Sequence, residues 1–285
     1  MHTIDLDKFN CRTDLIIEKL DSNFSSFKHE ENDNIVVDRV VVDGKREENY
    51  VTISFSDITD KDNYKKVQET FILEFKKFLE KYDLKKEKIM VVGLGNSYST
   101  PDALGPEVIS NILVTRHLFE LGDVQDGYVN VCSMSPGVIG TTGVETISFI
   151  KGLIKEVSIS FLIIIDALAS SSVDRVNKTI QITDSGINPG SGIGNDRGEI
   201  SYESLGIPVI AIGVPTVVDA ATIVKETLEK LDDYSNKKID EILSNDGYDT
   251  FIVTPKEIDF LIEKFGTLLG GGINKSLHQA FNSTE

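Results

Sequence analysis

The sequence predicts an α/β fold: a doubly wound, mostly parallel sheet flanked by helices, with a small antiparallel hairpin inserted near the N-terminus. Three observations predict it. From residue 89 onward, short apolar runs alternate with segments of helical spacing, the order that builds a parallel sheet with crossover helices. The runs Met90–Leu94 and Phe161–Ile165 are apolar at every position, as strands covered on both faces are. Before residue 89, two β-rich stretches lie on either side of the turn Asp43-Gly44, which reads as a hairpin.

Residues 1–33 are polar, with a short helical patch around Leu15 to Leu20. The β-rich stretch 34–43 supplies the first hairpin strand. Residues 50–56, which alternate apolar and polar, supply the second. Over 63–82, Val67, Phe71, Phe75 and Phe78 recur on one helical face, with lysines and glutamates opposite. A strand at 89–94 then leads through the turn at 95–101 into a helix over 103–120. Next come a strand at 128–133, a loop at 135–140, a helix over 143–156 and the strand at 161–165. Strands at 179–183 and 207–213 follow, and the second opens into a helix over 216–232. Asp219 would sit one turn inside that helix, a structural position near its N-terminus. The charged segment 233–249 reads as a connection and 250–253 as a last short strand. Thr254-Pro255-Lys256-Glu257 starts the final helix, with proline in its first turn.

A chain of 285 residues can bury one sizeable core. Its 29 basic and 46 acidic residues give a net charge of −17, which excludes a broad nucleic-acid-binding face. No apolar run approaches the ~20 residues of a membrane span. The acidic N-terminus is unlike a signal peptide. Cys11 and Cys132 form no CxxC pair, so a reducing cytoplasm is expected.

Asp102 and Asp166 carry the strongest chemical signal. Each follows a buried apolar run, and each is followed by Ala-Leu. The carboxyl ends of parallel strands line the ligand crevice of such sheets. Two carboxylates converging there make an acid/base pair or a metal site. Without convergence they are two helix N-caps. The stretch Asp184–Asn195 holds four glycines and a proline, which lets backbone approach a ligand closely or simply makes a surface connection.

Other chemistries lack their signatures. Gly93-Leu94-Gly95 has no third glycine and no following Walker lysine. His117 falls at helical spacing between Leu113 and Leu121, a packing position. No spaced set of His and Cys announces a zinc site, and Ser133, Ser135 and Ser191 lack a nucleophile elbow. No cofactor and no metal ligand are assigned.

The motifs Val91-Val92-Gly93-Leu94-Gly95-Asn96 and Thr100-Pro101-Asp102-Ala103-Leu104-Gly105-Pro106 resemble the germination protease of spore-forming bacteria. So do Ile165-Asp166-Ala167-Leu168-Ala169, Pro189-Gly190-Ser191-Gly192 and the run 206–220. The resemblance covers nearly all of 89–220, with further matches at 254–278. It implies an endopeptidase that degrades small acid-soluble spore proteins at germination, in the cytoplasm of the spore core or forespore. It also implies a self-processing, homotetrameric zymogen with a fold similar to the hydrogenase maturation proteases. The family's two proposed catalytic aspartates fall on Asp102 and Asp166. Cys11-Arg12-Thr13-Asp14-Leu15-Ile16 resembles the family's processing site, so cleavage is expected between Asp14 and Leu15. That makes residues 1–14 a propeptide and 15–285 a single protease domain. Substrate contacts are expected from Gly137, Gly190, Ser191 and Gly192, in loops that can offer backbone donors. Partners are the protein substrates and other copies of the chain, with no direct nucleic acid and no membrane.

Asn188 stands where a histidine is usual, and Ser170-Ser171 replaces a small-plus-basic pair. Both departures bear on substrate preference and activity level. Two alternatives share the crevice: a metal-dependent peptidase using the same carboxylates as ligands, and a binding module.

Overall fold

Nine strands form one sheet in the computed structural model, which describes residues 13–19, 24–43, 46–188, 198–229 and 251–280. They are β1 (Phe24–Asn32), β2 (Ile35–Asp43), β3 (Glu47–Phe55), β4 (Lys88–Gly93), β5 (Asn130–Met134), β6 (Phe161–Ser170), β7 (Thr179–Thr183), β8 (Val209–Asp219) and β9 (Ile252–Val253). Their order is β1-β2-β3-β7-β8-β6-β4-β5, with β9 on β8. The predicted parallel sheet is the β5-β4-β6-β8 half. The other half is antiparallel, so the sheet as a whole is mixed.

The expected hairpin is a three-stranded meander continuous with the main sheet. β3 pairs with β7 from Tyr50↔Thr183 to Ser54↔Thr179. β1 was not predicted, because 24–32 is polar on both faces. That composition suits an edge strand and erases the period-two signal. Cross-strand polar pairs hold it instead: His29 Nδ1 lies within hydrogen-bond distance of Asp38 Oδ1 at 2.7 Å, and Arg39 reaches Glu30 at 2.9 Å.

Alternating side chains of the central strands feed two apolar layers. Ile89, Val91, Ile163 and Ile165 face α1 (Lys61–Leu79), α2 (Leu104–Ser110) and α8 (Ile258–Leu277). Met90, Val92, Leu162 and Ile164 face α5 (Thr146–Val157). This two-sided burial is why those strands read as unbroken apolar runs. The phenylalanine stripe of α1 is buried as predicted, and Asp60 caps the helix by accepting from Asp62 N and Asn63 N.

The helix predicted over 103–120 is two helices, α2 and α3 (Arg116–Leu121). Long-range partners break it. Asn274 on α8 accepts from Leu113 N at 2.9 Å and donates to Asn111 O at 2.8 Å. Thr115 then joins β5, donating through its hydroxyl to Val129 O and accepting from Val131 N. Asn274→Leu leaves two backbone groups without partners at a 95 %-buried position. We expect it to lower stability by about 2–4 kcal/mol, read from the urea midpoint.

The helix predicted over 143–156 is preceded by a separate turn, α4 (Ile139–Thr142). Among the described residues, the two remaining helices are α6 (Tyr202–Leu205) and α7 (Ala220–Glu229). The strand predicted at 207–213 runs on to Asp219, so Asp219 ends a strand and is not inside a helix. β6 likewise continues past Ile165 to Ser170, which places Asp166 inside the strand and removes the N-cap reading. The predicted connection at 233–249 lies outside the described residues.

Candidate active site

β4 and β6 pair as far as Gly93↔Ile165, and Leu94 N extends the ladder by donating to Ile165 O at 2.8 Å. Beyond that point the chain after β4 turns away. Asp166 is the first residue of β6 with no β4 neighbour, while on its other side it still pairs with Gly213 of β8. The sheet therefore opens at Asp166. This is the crevice that the carboxyl ends of parallel strands create. The Asp166 residue is 7 % exposed, and its Oδ1 accepts from Ala167 N at 2.9 Å.

Asp102 reaches the same crevice from a loop. Gly95 takes φ +107, and a Cβ there would lie 2.0 Å from Asp102 O. Only glycine fits that conformation and that approach. The loop closes through Asn96 N to Asp102 O at 2.9 Å and ends in a 3₁₀ turn, Thr100–Asp102. α2 then packs backbone to backbone on the end of β4, since a Cβ on Gly105 would lie 2.1 Å from Leu94 O. β8 braces the loop from the far side. Its bulge against Leu168 and Ala169 leaves Thr216 out of register, and the Thr216 hydroxyl donates to Pro101 O at 2.7 Å. The bulge also accommodates Pro215 within a central strand.

Asp102 and Asp166 line one cleft of about 290 Å³. Its other walls come from Ser99 and Pro101, from Ala167–Ala169, from Ile187 and Asn188, and from Thr216, Ile252 and Thr254. Thr254 is fastened to β8 by its hydroxyl, which donates to Thr216 O at 2.8 Å. Among the described residues, no group of three or more His, Cys, Asp or Glu is placed to hold a metal ion.

Asp14 lines the same cleft. Its backbone N donates to Ala169 O at 3.0 Å, and its Oδ2 accepts from Ala169 N at 2.9 Å. Leu15 beside it is fully buried. Glu18 anchors the segment: its carboxylate accepts from Ser170 Oγ and Ser171 N, both at 2.7 Å. Ser170-Ser171, noted above as a departure from the family pattern, is thus the partner of the chain's own N-terminal segment.

The structure brings together Asp102, Asp166 and Asp14, with Leu15 adjacent. Asn188 joins them as an exposed wall residue. Gly137 sits beyond β5 with φ +73 and is not among the residues lining the cleft. Gly190, Ser191 and Gly192 lie outside the described residues. Sequence reasoning missed Thr216, Thr254, Ala169 and Gln181. Ala169 and Thr216 lie within motifs quoted above and Thr254 opens the predicted final helix, but nothing there pointed to these contacts; Gln181 stands out in sequence only as a polar residue between Ile180 and Ile182 in a predicted short strand. No helix among the described residues is long and apolar enough to cross a membrane.

Known proteins match the chain over most of its length. The family profile described as germination protease matches residues 17–234. The chain is 38 % identical to the germination protease of Geobacillus sp. (strain WCH70), across 97 % of this chain and 96 % of that one. It is 37 % identical to the germination protease of Priestia megaterium, across 96 % and 95 %. Among solved structures it is similar to the [NiFe] hydrogenase maturation protease HycI from Thermococcus kodakarensis KOD1. That likeness has 17 % identity and a TM-score of 0.36, over 70 % of this chain and 98 % of that one.

Proposed function

The chain belongs to the germination protease family, a family of peptidases, and from that premise we propose a self-processing endopeptidase that uses Asp102 and Asp166 as an acid/base pair. It is made as a zymogen, cuts itself between Asp14 and Leu15, and then degrades small acid-soluble spore proteins in the spore core. Its assembly on this reading is a homotetramer.

One observation carries the reading. The two aspartates and the residue before the expected cut line a single cleft. Peptide hydrolysis needs a base to take a proton from water and an acid to give one to the leaving nitrogen. Two neighbouring carboxyls divide that work when one is ionised and the other protonated.

The test is direct. The full chain is incubated under mildly acidic, dehydrating conditions, and its N-terminal sequence and intact mass are followed. A new terminus at Leu15, followed by digestion of a purified small acid-soluble spore protein, is the expected result. An intact Met1 with no digestion would overturn it. Loss of activity to a chelator would replace the acid/base pair with metal-assisted hydrolysis.

A further inference from the structure

Gln181 lies in β7 between Ile180 and Ile182, whose side chains enter the core on one face of the sheet. Strand alternation turns Gln181 to the other face, where it is 6 % exposed. A buried primary amide must satisfy both its donor and its acceptor. Gln181 finds a partner for each end of its amide on the backbone of residues 14–16. Its Nε2 donates to Asp14 O at 3.1 Å, and its Oε1 accepts from Ile16 N at 2.7 Å. A carbonyl on one side and an N–H on the other leave only one orientation of the amide.

Asp14 O is the carbonyl oxygen of the Asp14–Leu15 bond. The rest of that peptide unit is also held. Asp14 is tied to Ala169 through its N–H and its carboxylate, and Leu15 N donates to Thr13 Oγ1 at 3.0 Å. A donor therefore points at the carbonyl oxygen from a buried, fixed side chain. We infer that Gln181 is the oxyanion donor of the self-cleavage reaction, an assignment that rests on the reading that Asp14–Leu15 is the bond cut.

The step balances with groups already named. Water adds to the Asp14 carbonyl carbon and gives its proton to the ionised aspartate, while the C=O pair moves onto the oxygen facing Gln181. Collapse re-forms the carbonyl and breaks the C–N bond, and the protonated aspartate delivers its proton to the Leu15 nitrogen. Gln181 gains and loses no proton. Its hydrogen bond is weak to the resting carbonyl and strong to the charged oxygen, which is the difference that lowers a barrier.

The experiment compares the full chain with Gln181→Leu, Gln181→Glu and Asp102→Asn. It follows release of the Leu15 terminus by intact mass, and hydrogen exchange at Asp14 and across β7. Gln181→Leu is expected to slow release by about 10²–10³-fold with the Asp14 and β7 amides still protected. Gln181→Glu is expected to be as slow at neutral pH. It should close on the parent as pH falls, because a protonated carboxyl can donate and a carboxylate cannot. A rate within about threefold of the parent for Gln181→Leu would overturn the inference. So would slow release accompanied by lost protection at Asp14 in both Gln181 variants, since the side chain would then only hold the segment. Asp102→Asn separates the two readings. If it blocks release while Gln181→Leu does not, only the oxyanion assignment falls. If the parent cuts elsewhere, both fall.

Discussion

Asp166→Asn is expected to slow self-cleavage and substrate hydrolysis by about 10²–10⁴-fold, with little change in the unfolding transition. Asparagine keeps the shape of the side chain and an oxygen that can accept from Ala167 N, the contact Asp166 makes at 2.9 Å. What it loses is the ability to take or give a proton. Asp102→Asn should have an effect of the same order. The loop that carries Asp102 is held by its backbone, through Asn96 N to Asp102 O and Thr216 Oγ1 to Pro101 O, and neither contact needs the carboxyl. The double variant should be no worse than the slower single one, because two groups that act as one unit do not contribute additively. Intact mass for self-cleavage and hydrolysis of a peptide in trans would measure all three. If the two losses multiply, the carboxyls act independently and the pair mechanism is wrong.

Arg39→Met is expected to cost about 3–5 kcal/mol of stability, far more than the removal of a surface charge. Arg39 on β2 holds Glu74 of α1 through both carboxylate oxygens, Nε to Oε2 at 2.9 Å and Nη2 to Oε1 at 2.8 Å. Glu74 is 1 % exposed. Burial pushes its carboxyl up, but the hydrogen bonds from Arg39 and Lys77 outweigh that and hold it below the ordinary range. Such a carboxyl contributes stability above its unfolded-state value of about 4.5 and loses that contribution as pH falls below it. Without Arg39 the charge stays buried with Lys77 as its remaining ion-pair partner, at 2.6 Å from a half-exposed side chain. Replacing both partners, as Arg39→Met with Glu74→Leu, should recover much of the loss, because no buried charge then remains. Urea unfolding at neutral pH reads both variants. An unchanged midpoint for Arg39→Met would mean that α1 is held on the sheet by its phenylalanine stripe alone.

The legible parts of the fold are those whose burial is periodic along the chain. The central strands 89–94 and 161–165 read clearly because both faces are covered, and α1 reads clearly because one stripe is. β1 did not, since an edge strand needs no apolar face. The lengths of β6 and β8 were underestimated. The residues past Ile165 and Gly213 stay in the sheet because β6 and β8 pair with each other, a fact no local pattern contains. The break between α2 and α3 depends on Asn274, more than 150 residues away in sequence.

The sequence by itself determined the α/β class, the central strands, and Asp102 and Asp166 as the residues to watch. Those are consequences of composition, period and motif, which local chemistry carries. Tertiary structure alone decided that the two aspartates share a cleft with Asp14, and that Gln181 faces the Asp14 carbonyl. These groups come from a loop, two strands and the N-terminal segment. Their meeting depends on where β4 stops, where β8 bulges and which backbone groups a buried amide must satisfy. Each is a long-range hydrogen-bonding condition that is met only once the sheet has formed.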